Sequence, residues 1–82
     1  MLPAMFDYDA AAELYFGHRS RRRVGYRRFA QAAAAVQFAV EHLAPAALSG
    51  AYLEIEDDRY NAEDIRLLYE HADYPLVRKA AT

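Results

Sequence analysis

The sequence predicts an α+β domain: a short antiparallel β-hairpin, then helix, strand and helix (ββαβα), with a small sheet carrying its helices on one face. Three observations predict it. The alanine-rich run "FAQAAAAVQFAVEHL" repeats apolar residues at helical spacing, "AYLEIEDD" alternates with period two, and "NAEDIRLLYEHAD" returns to helical spacing behind a polar start. Strands and helices thus follow one another in a chain of 82 residues, which is one domain of layered type.

The hairpin comes first. "AELYF" and "GYRRFA" read as two strands joined by a basic loop over residues 17–25, with Leu14 and Phe16 facing the core and Phe29 turning in where the helix begins. The competing reading is a helix from Ala10 to Phe16, N-capped by Asp9 and stopped by Gly17. The hairpin is preferred because "GYRRF" leads straight into a helix and needs a partner strand.

The first helix is expected from Ala30 to Leu43, where alanine favours helix intrinsically. Phe29, Ala33, Val36, Val40 and Leu43 form one stripe, with Ala32 and Ala39 at its edge. Phe38 falls outside it, among Ala30, Ala34 and Ala35. Those four residues make a candidate dimer surface of small side chains around one aromatic knob. Pro45 and Gly50 then mark a helix stop and a turn. In the strand that follows, Ala51, Leu53 and Ile55 face the core while Tyr52, Glu54 and Glu56 face water. Asn61 is a natural N-cap for the last helix, with Glu63 and Asp64 at its positive end. Its buried face is Ile65, Leu68, Tyr69 and Ala72. Pro75 closes the helix, and "YPL" should lie extended over the body.

The expected disordered or frayed parts are residues 1–5 and 77–82. Of the residues that make the composition 55% hydrophobic, 18 are alanine and only 18 are Leu, Ile, Val or Phe. Alanine buries little apolar area, so the core is thin, and without cysteine no disulfide offsets it. Association is the remaining device, and a two-fold homodimer is expected. The long, like-charged loop leaves the first strand free to exchange between subunits, a strand-swapped form of that dimer.

No stretch approaches 18 consecutive apolar residues, and the N-terminus lacks the basic and apolar regions of a signal peptide. A cytoplasmic protein without membrane association is expected, and no cofactor is expected. His18, His42 and His71 sit in three different elements without ligand spacing, and a helix C-terminus accounts for the last two. "DDRYNAED" has Arg59 and Ala62 where a calcium loop needs a ligand and a glycine. Ser20 and Ser49 lack a nucleophile setting, and the three glycines are isolated, so no catalytic residue is assigned and an enzyme is the least favoured reading.

The remaining feature is "HRSRRRVGYRR". Six of the ten Lys and Arg residues are Arg19, Arg21, Arg22, Arg23, Arg27 and Arg28, whereas nine acids lie between Glu41 and Asp73. The formal net charge of −2 conceals this polarity. With Tyr26, those arginines are the candidate nucleic-acid contacts, offering charge for phosphates and a ring for bases. The acidic remainder weakens general affinity for a polyanion. The preferred reading is therefore a homodimeric, non-catalytic interaction module that pairs with itself or a protein partner, with nucleic-acid binding as the alternative.

The segments "FDYDAAAEL", "YRRFAQAAAAVQFAVEHL", "GAYLEIEDDRY", "IRLLYE" and "YPLVR" resemble a group of small conserved bacterial proteins, chiefly alphaproteobacterial. The resemblance spans Phe6 to Arg78 and implies a stand-alone cytoplasmic α+β domain, dimeric, with no functional residues to carry over.

Overall fold

A computed structural model describes residues 6–17 and 25–78. Strands β1 (Ala12–Phe16) and β2 (Gly25–Phe29) form the expected hairpin, with Leu14 opposite Arg27 and Phe16 opposite Gly25. The competing helix at Ala10 to Phe16 is not formed. Gly25 answers a close approach: a β-carbon there would lie 2.3 Å from the Phe16 ring.

Helix α1 (Ala32–His42) follows directly and buries Ala32, Ala33, Ala35, Val36 and Ala39. Its N-cap, Gln31, makes no side-chain cap. The free N–H groups of Ala32 and Ala33 instead donate to the carbonyls of Ala10 and Tyr8, at 2.7 and 2.9 Å. The segment preceding β1 thus does the work of a cap.

Two elements add to the order expected from sequence. "PAALS" forms a short helix, α2 (Pro45–Ser49), with the proline in its first turn, where a missing N–H costs nothing. Beyond β3 (Tyr52–Ile55), a tight turn at Glu56 and Asp57 returns the chain as a fourth strand, β4 (Asp58–Asn61). Its last residue, Asn61, also caps α3 (Ala62–Glu70). The Asn61 side chain accepts from the Asp64 N–H at 2.9 Å, and the Asp64 carboxylate accepts from the Asn61 N–H at 3.2 Å. The acids of "DDRYNAED" therefore lie in the turn, in β4 and in the first turn of α3, where Asp64 completes the cap.

The four strands form one antiparallel sheet in the order β2–β1–β3–β4. β1 lies between β2 and β3, so an exchange of β1 between chains would move a strand bonded on both sides. The helices lie on one face. Leu14 and Leu53 meet Val36 of α1 and Ile65 and Leu68 of α3 in a single core, all five fully buried. Alanines 32, 33, 35 and 39 let α1 approach the sheet closely. Ala72, expected inside, is exposed because α3 ends at Glu70.

Tyr74 of the expected extended "YPL" is buried against this core, its hydroxyl donating to the Ala33 carbonyl at 3.0 Å. Further along, the Val77 carbonyl accepts from Gln37 at 3.2 Å, and Arg78 donates to the Tyr69 carbonyl at 2.6 Å and to that of His71. Arg78 thus satisfies carbonyls at the C-terminal end of α3, where positive charge is favoured. Residues 77 and 78 of the tail expected to fray carry these hydrogen bonds, with both side chains exposed. Residues 1–5, 79–82 and the centre of the basic loop lie outside the described residues.

Candidate interaction surface

The pairing registers divide the strand residues between two faces, because residues directly opposite each other share a face. Leu14, Arg27, Leu53 and Tyr60 lie across the strands on the helix side. The other face carries two parallel rows. One is Tyr26, Tyr15, Tyr52 and Asn61. The second, two residues further along each strand, is Arg28, Glu13, Glu54 and Arg59. Among the described residues no helix or segment covers this face.

The tyrosine row is a stack. Tyr15 and Tyr52 lie 4.8 Å apart and nearly parallel, at 15°. Tyr26 leans on the far side of Tyr15, at 5.0 Å and 54°, and the Arg59 guanidinium sits 4.4 Å from the Tyr52 ring. Tyr52 thus has Tyr15 stacked on it and the Arg59 guanidinium over its ring. Arg59 also pairs with Glu54 at 3.3 Å, and the Tyr26 hydroxyl donates to Glu13. That hydrogen bond to a carboxylate holds the Tyr26 phenol above its usual range, with lesser contributions from burial and the charge of Glu13. Tyr15 is raised too, by burial among its neighbours first and then by Glu13 and Glu54. On this surface the Tyr26 phenol serves as a hydrogen-bond donor.

The residues singled out from sequence are dispersed. Arg19, Arg21, Arg22 and Arg23 lie outside the described residues. Tyr26 and Arg28 are on the open face, whereas Arg27 is on the helix side, its guanidinium 4.8 Å from the Phe38 ring and 5.2 Å from that of Phe29.

The surface around Phe38 differs from expectation. Ala30 is exposed, but Ala35 is fully buried, and the half-buried Phe38 packs against Phe16, Phe29 and His42 at 5.9, 5.6 and 5.7 Å. The outer end of the hairpin reaches around α1 and meets the side that a helical wheel leaves unpartnered. The aromatic knob therefore has its socket within its own chain.

Ser49 donates to the Ala46 carbonyl at 2.9 Å, and Glu41 accepts from Tyr69 at 2.6 Å. Among the described residues, no three of His, Cys, Asp and Glu come together as metal ligands, and no helix is long and apolar enough to cross a membrane. No family model matches this chain, and no curated protein or solved structure is significantly similar to it. The resemblance to small alphaproteobacterial proteins rests on the quoted segments alone.

The open face itself was half legible. Period two in "AYLEIEDD" put Tyr52 and Glu54 toward water. That Tyr15 and Tyr26 stand in line with Tyr52 depends on register and strand order, for which the sequence holds no signal.

Proposed function

We propose that this chain is a homodimeric, non-catalytic interaction module that pairs through the open face of its sheet. The observation that carries the reading is that this face is its own complement. A two-fold axis running across the strands, midway between the rows, lays the tyrosine row of one copy on the charged row of the other. Tyr15 and Tyr52 then meet Glu13 and Glu54, a phenol donor against a carboxylate acceptor. Tyr26 meets Arg28, and Asn61 meets Arg59. Such self-complementarity is what an isologous interface requires, and Tyr and Arg are the side chains that anchor interfaces. A base-stacking platform is less well supported: Tyr52 is sandwiched between Tyr15 and Arg59, and two carboxylates stand at the centre of the charged row.

The face is four short strands wide, small beside the roughly 800 Å² per partner of a stable interface. The dimer should accordingly dissociate in the micromolar range. Sedimentation velocity between about 1 and 100 μM should follow the mass from one chain to two. Tyr15→Asp, which sets a carboxylate against Glu13 of the second copy, should leave a folded monomer throughout. Ala30→Asp, on the exposed part of the surface expected from sequence, should leave dimerisation unchanged. A wild-type chain that stays monomeric at the highest concentration would overturn the proposal.

A further inference from the structure

The two edges of the sheet are built differently. At β4, Arg59 is neutralised by Glu54, Asn61 and Asp64 are consumed in the cap, and the strand runs straight into α3. At β2 the outer edge is unpaired among the described residues, and its central residues include Arg27 and Arg28, both exposed. Among the described residues neither has a carboxylate within ion-pair distance. Glu13, opposite Arg28 in the ladder, accepts the Tyr26 hydroxyl.

An unpaired edge offers a row of backbone donors and acceptors to any extended chain that can approach it. Two arginines on that edge repel a second β2 and attract an acidic segment. We infer that the outer edge of β2 takes up an extended acidic segment of a partner protein by strand addition, with two adjacent carboxylates engaging Arg27 and Arg28.

The adjacency follows from the pleat. Arg27 shares a face with Leu14 and points to the helix side, whereas Arg28 shares a face with Glu13 and points to the open side. Successive side chains of an added strand also alternate between the faces, so one carboxylate of a neighbouring pair reaches each arginine. Two carboxylates separated by one residue fall on the same face, and only one of them finds a guanidinium. Arg27 is also held in place by the Phe29 and Phe38 rings, so ordering it on binding costs little, and its planar fork suits a carboxylate. Tyr26, half exposed on the same strand, supplies an apolar wall for a neighbouring side chain.

Fluorescence polarisation with labelled eight-residue peptides tests this. One peptide carries Glu-Glu at its centre among Thr and Val, the second is its isomer with the two glutamates one residue apart, and the third replaces both residues flanking the pair with proline, one of which must carry a ladder N–H. The adjacent pair should bind at least about tenfold more tightly than its isomer, and proline should abolish most of the binding by removing a ladder donor. Amide resonances of Gly25 to Phe29 should shift on titration. Arg27→Glu should lose about tenfold or more while sedimenting as wild type, because Arg27 is not on the face proposed for the dimer. Loss of dimerisation with peptide binding retained would strike the dimer reading alone. Equal binding of the two glutamate isomers, equal competition by an oligonucleotide of the same charge, or no saturation by about 1 mM peptide would overturn strand addition.

Discussion

The seven tyrosines of this chain divide into two groups that use the same side chain in opposite ways. Tyr8, Tyr60, Tyr69 and Tyr74 join Phe6 in a belt that binds the segments before β1 and after α3 to the helices. Its rings meet at steep or tilted angles, as in Phe6–Tyr8 at 4.8 Å and 71° and Tyr69–Tyr74 at 5.2 Å and 52°. Two of its hydroxyls reach backbone carbonyls, that of Tyr8 the Leu68 carbonyl at 2.8 Å and that of Tyr74 the Ala33 carbonyl, and that of Tyr69 donates to Glu41. Tyr15, Tyr26 and Tyr52 instead stand on the open face. Among the described residues only Tyr26 of these three donates its hydroxyl. The belt shows how a chain rich in alanine closes its core: large rings with a polar tip supply the apolar area and satisfy backbone carbonyls at once. The ladder of Tyr15, Tyr26 and Tyr52 lies outside that core, in keeping with the recognition role proposed for it.

The sharpest way to break this comparison is truncation. Tyr74→Ala removes a buried ring and its hydrogen bond, and should cost about 3–5 kcal/mol in urea unfolding, the range for a large aromatic lost from a core. Tyr15→Ala, on the half-exposed ladder, should cost about 1 kcal/mol, the size of a cross-strand pair. Equal losses would dissolve the distinction between belt and ladder.

The two groups also differ in how far they were legible. Both helices of "FAQAAAAVQFAVEHL" and "NAEDIRLLYEHAD" announce themselves by periodicity, and Asn61 with Asp64 is a cap readable from spacing alone. The hairpin was readable because "GYRRF" needed a partner. β4 was hidden by its turn: Glu56 takes φ 55°, a conformation usually given to glycine or asparagine, so "IEDDRY" carries no hairpin signal. α2 is five residues long, too short for a period to show. The contacts of Phe38 within its own chain were hidden for a different reason. A helical wheel shows which residues leave the main stripe, but not that the hairpin end wraps round to meet them. The belt's hydrogen bonds from Tyr74 to Ala33 and from Tyr8 to Leu68 join residues 41 and 60 positions apart, and local pattern does not carry these.

Alkaline titration sharpens the comparison with a smaller effect. Burial pushes the Tyr74 phenol up to about 12, with Tyr69, Glu41 and Tyr8 adding to the rise and Arg78 opposing it. An unfolded tyrosine ionises near 10. The folded state therefore holds this proton where the unfolded state has released it, and stability falls as pH rises from about 10 to about 12. Below that window the contribution is fully present. Tyrosinate absorbance should show the Tyr74 step near the end of the titration, and Tyr74→Phe should remove it and reduce the alkaline loss of stability. A wild-type protein whose tyrosines all ionise together near pH 10 while still folded would show that the belt is open to water.

The smallest effect on the fold is expected where the charge is densest. Arg21, Arg22 and Arg23 belong to the segment joining β1 to β2, whose ends are fixed by the pairing of Phe16 with Gly25. If this segment is the solvated loop that the sequence predicts, changing all three to Ala alters stability by less than about 0.5 kcal/mol per site. The same variant weighs the nucleic-acid alternative. If six arginines of this region neutralised phosphates on a duplex, log K would fall with log salt at a slope near −5, and losing three would halve it. The open face argues for a weaker outcome, because Glu13 and Glu54 stand between Arg28 and Arg59 and repel a phosphate chain crossing the sheet. An oligonucleotide should bind only at low salt, and the triple variant should change that binding without changing the dimer. Sub-micromolar affinity at physiological salt, lost in the triple variant, would make the arginines a phosphate grip and displace the interaction-module reading.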